Sequence, residues 1–346
     1  LKLLYFSCHE TLEYDELTMF NRLGFDVFSI GHYTRPLTPI NSSRGKIDFP
    51  VCEEASYLFE KYHDYDKLKG RLSNIQAGVQ GPYIYRINPN LAKIFDVIVI
   101  GYYEENLTMN WDLIKDKRVV LRTISQMQSH FSPFRNKVKK VALSEQEKYL
   151  HGYLPDAVIR QSVDTNVYSG WNGSTDKVLT VNKWLKKRGD VSCWNIYDYV
   201  TKDFNRLVCG FGNEDIEFAL SNLPQEDIQE LRKNCGVYFS TCSKPGGVTY
   251  TFVEALSTGI PMVSIGPKLG NYMPDIPTFD AHNFIQNGVN GFWSDNPEQL
   301  KIFIKELLTN KDLASKIGQK GRETAIKHFS IEKCTSDWEN FFKGIL

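Results

Sequence analysis

The sequence predicts an α/β protein built as two doubly wound, Rossmann-like domains. Three observations carry that prediction: the length, a strand–helix alternation that runs, stops and restarts, and the polar break between the two runs. At 346 residues the chain exceeds one comfortable core, so two domains of ordinary size are expected. Hydrophobic residues make up 42% and charged residues 24%, a globular balance.

The first alternation opens with the apolar run Leu1–Ser7 and an amphipathic stretch carrying Leu12, Leu17, Phe20 and Leu23. Gly24 stops that helix, and Phe25–Ile30 reads as the next strand, a unit of βαβ size. Residues 34–90 are less regular: a loop around Pro36 and Pro39, a helical run near Glu53–His63, and a turn at Gly81-Pro82. Phe95–Gly101 is almost continuously apolar, as a strand buried on both faces of a parallel sheet must be. Arg118–Leu121 and Lys139–Leu143 complete the first set of strands.

The Gly- and Ser-rich stretch Tyr168–Lys177 is the linker. It divides a first domain, 1–168, from a second, 169–330, and a terminal segment, 331–346, is expected to cross back to the first. After the linker, strands are predicted at Val178–Val181, Arg206–Cys209, Val237–Ser240 and Pro261–Ile265. Helices are predicted at Cys193–Thr201, Gln225–Lys233 and Phe252–Ser257. Two such sheets face one cleft and bind ligands beyond the carboxyl ends of their strands.

Lys plus Arg and Asp plus Glu are both 41, so the formal net charge is zero. Nucleic-acid binding draws on a basic excess, and the neutral total counts against it. The seven cysteines are scattered without metal-ligand spacing and read as reduced structural thiols; no metal is expected. No apolar run approaches the ~18 residues of a membrane span, and no signal peptide opens the chain. A cytoplasmic location is the expectation.

Ser240–Pro261 holds the richest loop. A strand ends, Gly246 and Gly247 permit close backbone approach, Val248 and Thr249 follow, and a helix begins. Free N–H groups and the helix dipole there suit a diphosphate. Glu254, one turn into the helix, is placed to accept hydrogen bonds from ribose hydroxyls. A tight turn followed by a solvated helix Glu is the equal alternative from these residues alone.

Residues 240–295 resemble the donor-binding segment of GT-B glycosyltransferases, particularly the retaining family 4. The likeness runs through Gly246-Gly247, Glu254-Ala255-Leu256, Gly259-Ile260-Pro261-Met262-Val263 and Asn287-Gly288-Val289-Asn290-Gly291-Phe292, then the helical region Pro297–Phe329. Upstream, Val181-Asn182-Lys183-Trp184 and Arg188-Gly189 match a segment whose Arg and Lys contact the donor diphosphate; here the two types are exchanged. Gly210-Phe211-Gly212 resembles a Gly-x-Gly turn near the base, and Ser144 with Ser162-Val163-Asp164 resembles hinge-side residues.

The resemblance implies a GT-B enzyme that moves a sugar from a nucleotide diphosphate sugar, its co-substrate, without a metal or other cofactor. Lys183, Arg188, Gly212, Gly246, Gly247, Val248, Thr249 and Glu254 would hold the donor. His9 is the candidate general base, since an imidazole titrating near neutrality can accept a hydroxyl proton. A polar loop His contacting phosphate is its plainer reading. Tyr102, Tyr103 and Glu104 are the acceptor-side candidates, with loops at Tyr102–Asn106 and Ser125–His130. A glycan, lipid or small-molecule acceptor is favoured over nucleic acid.

Two departures stand out. Counting back from Glu254 by the family's spacing lands on Gly246 where the retaining enzymes carry a second Glu. Ser125 stands where a His often helps place the donor sugar. The alternatives are therefore a nucleotide-sugar epimerase, a non-catalytic nucleotide-sugar binder, or transfer to a modified DNA base.

Overall fold

A computed structural model describes residues 1–34, 44–63, 84–125, 132–134, 136–273 and 275–346. The Pro36 and Pro39 loop, the Gly81-Pro82 turn and Gln126–His130 lie outside the described residues. The chain divides into two compact units: Leu1–Glu145 with Tyr153–Ile159 and Cys334–Leu346, and Gln146–Gly152 with Arg160–Lys333. Residues 160–168, grouped with the first domain on composition, pack in the second unit, where Val163 donates its N–H to the Phe329 carbonyl.

The first unit begins with β1 (Lys2–Phe6), α1 (Glu10–Arg22) and β2 (Asp26–Ile30). It continues through α2 (Glu53–Tyr62), α3 (Pro89–Lys93), β3 (Val97–Gly101), α4 (Glu105–Ile114), β4 (Arg118–Arg122), β5 (Lys139–Ala142) and β6 (Ala157–Val158). The sheet order is β2-β1-β3-β4-β5-β6, with every pairing parallel. All five residues of β3 are buried, which is why that strand reads as an unbroken apolar run.

Among the described residues, buried charge in this core finds partners at Arg122, Glu16 and Glu13. Arg122 and Glu16 are both fully buried, with Arg122 Nε donating to Glu16 Oε1 at 2.6 Å. Tyr5 adds its hydroxyl to Glu16 at 2.8 Å. Glu13 accepts the Ser29 hydroxyl at 2.5 Å and the N–H groups of His32 and Tyr33, each at 2.9 Å. Burial nonetheless raises the pKa of Glu13 above the ordinary carboxylate value.

The second unit holds β7 (Val178–Val181), α5 (Trp194–Thr201), β8 (Arg206–Cys209), β9 (Ala219–Leu220), α6 (Gln225–Asn234) and β10 (Val237–Ser240). There follow α7 (Tyr250–Thr258), β11 (Met262–Ile265), β12 (Phe292–Ser294), α8 (Pro297–Thr309) and α9 (Lys311–Phe329). Its sheet is again parallel, in the order β12-β11-β10-β7-β8-β9. Gly259 ends α7 at φ +86°, left-handed backbone that favours glycine, and Gly318 of α9 packs so tightly on it that a Cβ would strike the Gly259 carbonyl.

The run expected as one helical region, Pro297–Phe329, is two helices. Asn310 separates them, its side chain accepting the Leu313 N–H at 3.1 Å and capping α9. The edge strands β6, β9 and β12, of two or three residues, were too short for a periodicity to announce.

A last helix, α10 (Ile331–Lys343), gives its residues from Cys334 onward to the first unit. There Trp338 is fully buried, edge-on to Phe20 at 4.9 Å and stacked on Phe342 at 5.3 Å, with the Arg122 guanidinium 5.4 Å from its ring. Among the described residues, no helix is long and apolar enough to cross a membrane.

Candidate functional site

In an open parallel sheet, ligands settle where the strand order reverses, because the loops there diverge and leave a crevice. The second unit reverses between β7 and β10, and the first between β1 and β3.

The β7 loop carries the two expected cations. Lys183 is exposed. Arg188 is half-buried, and its Nη2 donates to Ser243 Oγ at 2.6 Å in the loop after β10. Burial lowers the Arg188 pKa from its ordinary value, yet a guanidinium stays charged throughout the working range. Lys244 laces the same two loops, its N–H on the Val191 carbonyl at 2.8 Å and its ammonium 3.1 Å from Asp190.

The Gly pair is backed by a carboxylate that sequence reading missed. Asp280, fully buried, accepts the Val248 N–H at 2.9 Å and the Arg160 guanidinium at 3.0 Å. A Cβ on Gly247 would lie 2.6 Å from Asp280 Oδ1, so this close approach demands glycine there. Thr249 caps α7, its Oγ1 accepting the Phe252 N–H at 3.3 Å. Two N–H groups expected to meet a diphosphate at this helix start are thus held by the protein itself.

Glu254 is also placed differently from the open ribose contact expected of it. It is 3% exposed, and its Oε2 accepts from Nη2 of Arg232 on α6, itself 1% exposed. Glu254 stands at the helix position expected for it, but its carboxylate faces a buried arginine.

Gly210 and Gly212 shape the β7 loop from behind. Gly210 has φ +124°, and a Cβ there would lie 2.5 Å from the Asn182 carbonyl oxygen; one on Gly212 would strike the Trp184 ring. Asn213, also missed, donates to the carbonyls of Asn182 and Gly210 at 2.7 and 2.9 Å and accepts the Leu185 N–H at 2.8 Å. It braces the turn that presents Lys183.

In the first unit His9, Tyr102 and Ser125 follow β1, β3 and β4, three neighbours in the sheet, and so gather at one edge. His9 is exposed at the start of α1, its carbonyl accepting the Glu13 N–H at 2.9 Å. Tyr102 takes a left-handed φ of 56°, and its ring meets Tyr103 edge-on at 4.7 Å. Burial pushes the Tyr103 phenol up to about 12 and raises Tyr102. Glu104 is 5% exposed and opens α4, its carbonyl accepting the Leu107 N–H at 2.9 Å. Asn106 is spent on structure, accepting the Tyr85 N–H at 2.8 Å. Ser125, at φ 64°, is the last described residue of its loop.

No family model matches the sequence, and no curated protein matches it. Solved structures do. HepE from Anabaena, solved in complex with UDP, is similar with a TM-score of 0.65 at 14% identity over 100% of both chains. Sucrose-phosphate synthase from Thermosynechococcus elongatus is similar with a TM-score of 0.63 at 11% identity, over 99% of this chain and 98% of that one. A glycosyltransferase from Rickettsia africae follows at 0.61 and 14%, over 99% and 98%. Two parallel sheets in this order, alike from end to end with those chains, decide the architecture. The fold is GT-B. At such identities the likeness is one of fold, and the chemistry of this GT-B chain has to be argued from its own residues.

Proposed function

We propose that the chain is a glycosyltransferase using a nucleotide diphosphate sugar, with its donor site at the β7–β10 reversal of the second unit. The observation that carries this reading is the Arg188 guanidinium held on Ser243, beside the loop of Gly246 and Gly247. A cation fixed there meets the charge that builds on a departing diphosphate, without reorganising at the moment of reaction. Lys183, exposed on the same loop, supplies a second positive charge and makes a divalent ion unnecessary in this scheme. The acceptor approaches the His9, Tyr102–Glu104 and Ser125 edge of the first unit, where His9 would take the proton of the attacking hydroxyl. Because HepE was solved with UDP and with UDP-glucose, uridine diphosphate donors are the first to try.

The test is a thermal-shift panel of nucleotide diphosphate sugars, followed by product analysis with the donor that binds. A matching donor at a hundred times its Kd stabilises by about 2.7 kcal/mol. Arg188→Ala should weaken that donor about tenfold or more, the worth of a charge-assisted hydrogen bond. A panel with no shift, or an Arg188→Ala protein that binds as well as the parent, overturns the proposal. Donor binding without transfer is the second reading, favoured by the Glu254 carboxylate's engagement with Arg232. Sugar released to an acceptor or to water rejects it.

A further inference from the structure

The turn that carries Arg188 and the loop after β10 meet at two thiols. Cys193 Sγ lies 2.9 Å from Cys242 Sγ, although 49 positions separate them in the chain. Both are buried, Cys193 at 3% and Cys242 at 0% exposure. The surrounding backbone holds them together: Cys242 Sγ faces the Val191 carbonyl at 3.7 Å, and the same carbonyl accepts the Lys244 N–H. Arg188 on Ser243 and Lys244 on Asp190 clamp either side. Cys193 itself adopts φ 58°, a left-handed conformation uncommon outside glycine.

We propose that Cys193 and Cys242 are an oxidation site, converted by hydrogen peroxide into a disulfide that ties the Arg188 turn to the loop of Gly246 and Gly247, and returned to two thiols by a dithiol reductant. The two thiols are unequal in the way this chemistry needs. The hydrogen bond from Cys242, with help from the Lys244 ammonium, lowers the Cys193 pKa, while that same contact and burial raise Cys242. Cys193 is also the less buried, so it reacts first. Its thiolate attacks one peroxide oxygen, the O–O bond breaks, and the leaving hydroxide takes a proton to become water. The Cys193 sulfenic acid is then attacked by the Cys242 thiolate, the S–O bond breaks, and a second water leaves. Two thiols give up two electrons and two protons, and the peroxide is reduced to two waters. The sulfurs need approach by only about 1 Å to reach bonding distance.

The experiment uses the full chain and needs no donor, so its failure and that of the glycosyltransferase reading are separate. Reduced protein is treated with hydrogen peroxide, alkylated in denaturant, digested and mapped by mass. The alkylatable thiols should fall from seven to five, with one linked peptide pair joining Cys193 to Cys242, and dithiothreitol should restore all seven. The oxidised form should melt about 5 °C or more above the reduced one, the lower end of what closing such a loop confers. Cys193→Ala and Cys242→Ala should each remove the linkage, and the parent protein alone decides the matter if either variant does not fold. Seven thiols surviving the treatment, sulfinic acid on Cys193 without a cross-link, or a disulfide through another cysteine would each overturn the proposal.

Discussion

Replacing Glu254 by Gln removes the negative half of a pair that has almost no water around it. Arg232 and Glu254 are 1% and 3% exposed, and the guanidinium has the Tyr168 ring 5.6 Å away. Stripping one partner from a buried pair costs about 3–5 kcal/mol, because the remaining charge keeps its desolvation penalty and loses the attraction that offset it. For a unit of this size each kcal/mol moves the melting temperature by about 2–4 °C, so a fall of about 6–20 °C is expected. Scanning calorimetry at pH 7 on Glu254→Gln, Arg232→Met and the double variant Glu254→Leu/Arg232→Met measures it. The double variant should recover most of the loss, since an apolar pair of similar volume does not leave a charge behind. Donor affinity is measured alongside on the folded fraction. A Glu254→Gln protein with an unchanged melting temperature and donor binding weakened tenfold would refute the reasoning, because the carboxylate would then belong to the ribose and not to Arg232.

Gly247→Ala should destabilise by about 1–3 kcal/mol, seen as a lower urea midpoint, because its Cβ displaces the Asp280 carboxylate that holds Val248 and Arg160. An unchanged midpoint would mean that Asp280 yields freely. Trp338→Ala should cost about 3–5 kcal/mol and lower the calorimetric transition of the first unit, leaving that of the second in place. Burial raises Glu13, so its protonated form is the one the fold prefers. Its contribution is complete below the unfolded value of about 4.3 and is lost as pH rises through the higher folded value. Urea midpoints followed upward from about pH 4 should therefore fall more steeply in the parent than in Glu13→Gln, and parallel profiles would contradict this.

The strands of the two sheets were legible because burial on both faces writes itself as apolar runs such as Val97–Gly101 and Val237–Ser240. The order of loops around Lys183, Arg188 and the Gly pair was legible for the same reason, since each follows a strand end. Helix α4 was not anticipated: its first two residues were read with the loop Tyr102–Asn106, and Leu107–Ile114 drew no reading. What stayed hidden lies in side-chain pairs distant in sequence. Asp280 reaches Arg160 across 120 positions, Arg232 reaches Glu254 across 22, and Cys193 meets Cys242 across 49. Local patterns report which face a residue turns to the core, and they carry no information about which partner it finds there.

The aromatic seat of Trp338 also bears on synthesis. Arg118 donates to the carbonyl of Ile345, 227 positions later; Arg122 waits a similar span for the indole of Trp338, and Phe20 a longer one. At ordinary elongation rates of about 5–20 residues per second, that gap lasts about 10–45 s. Throughout it the first unit lacks the indole that fills its aromatic seat, and the second unit, whose residues end at Lys333, is complete only near its close.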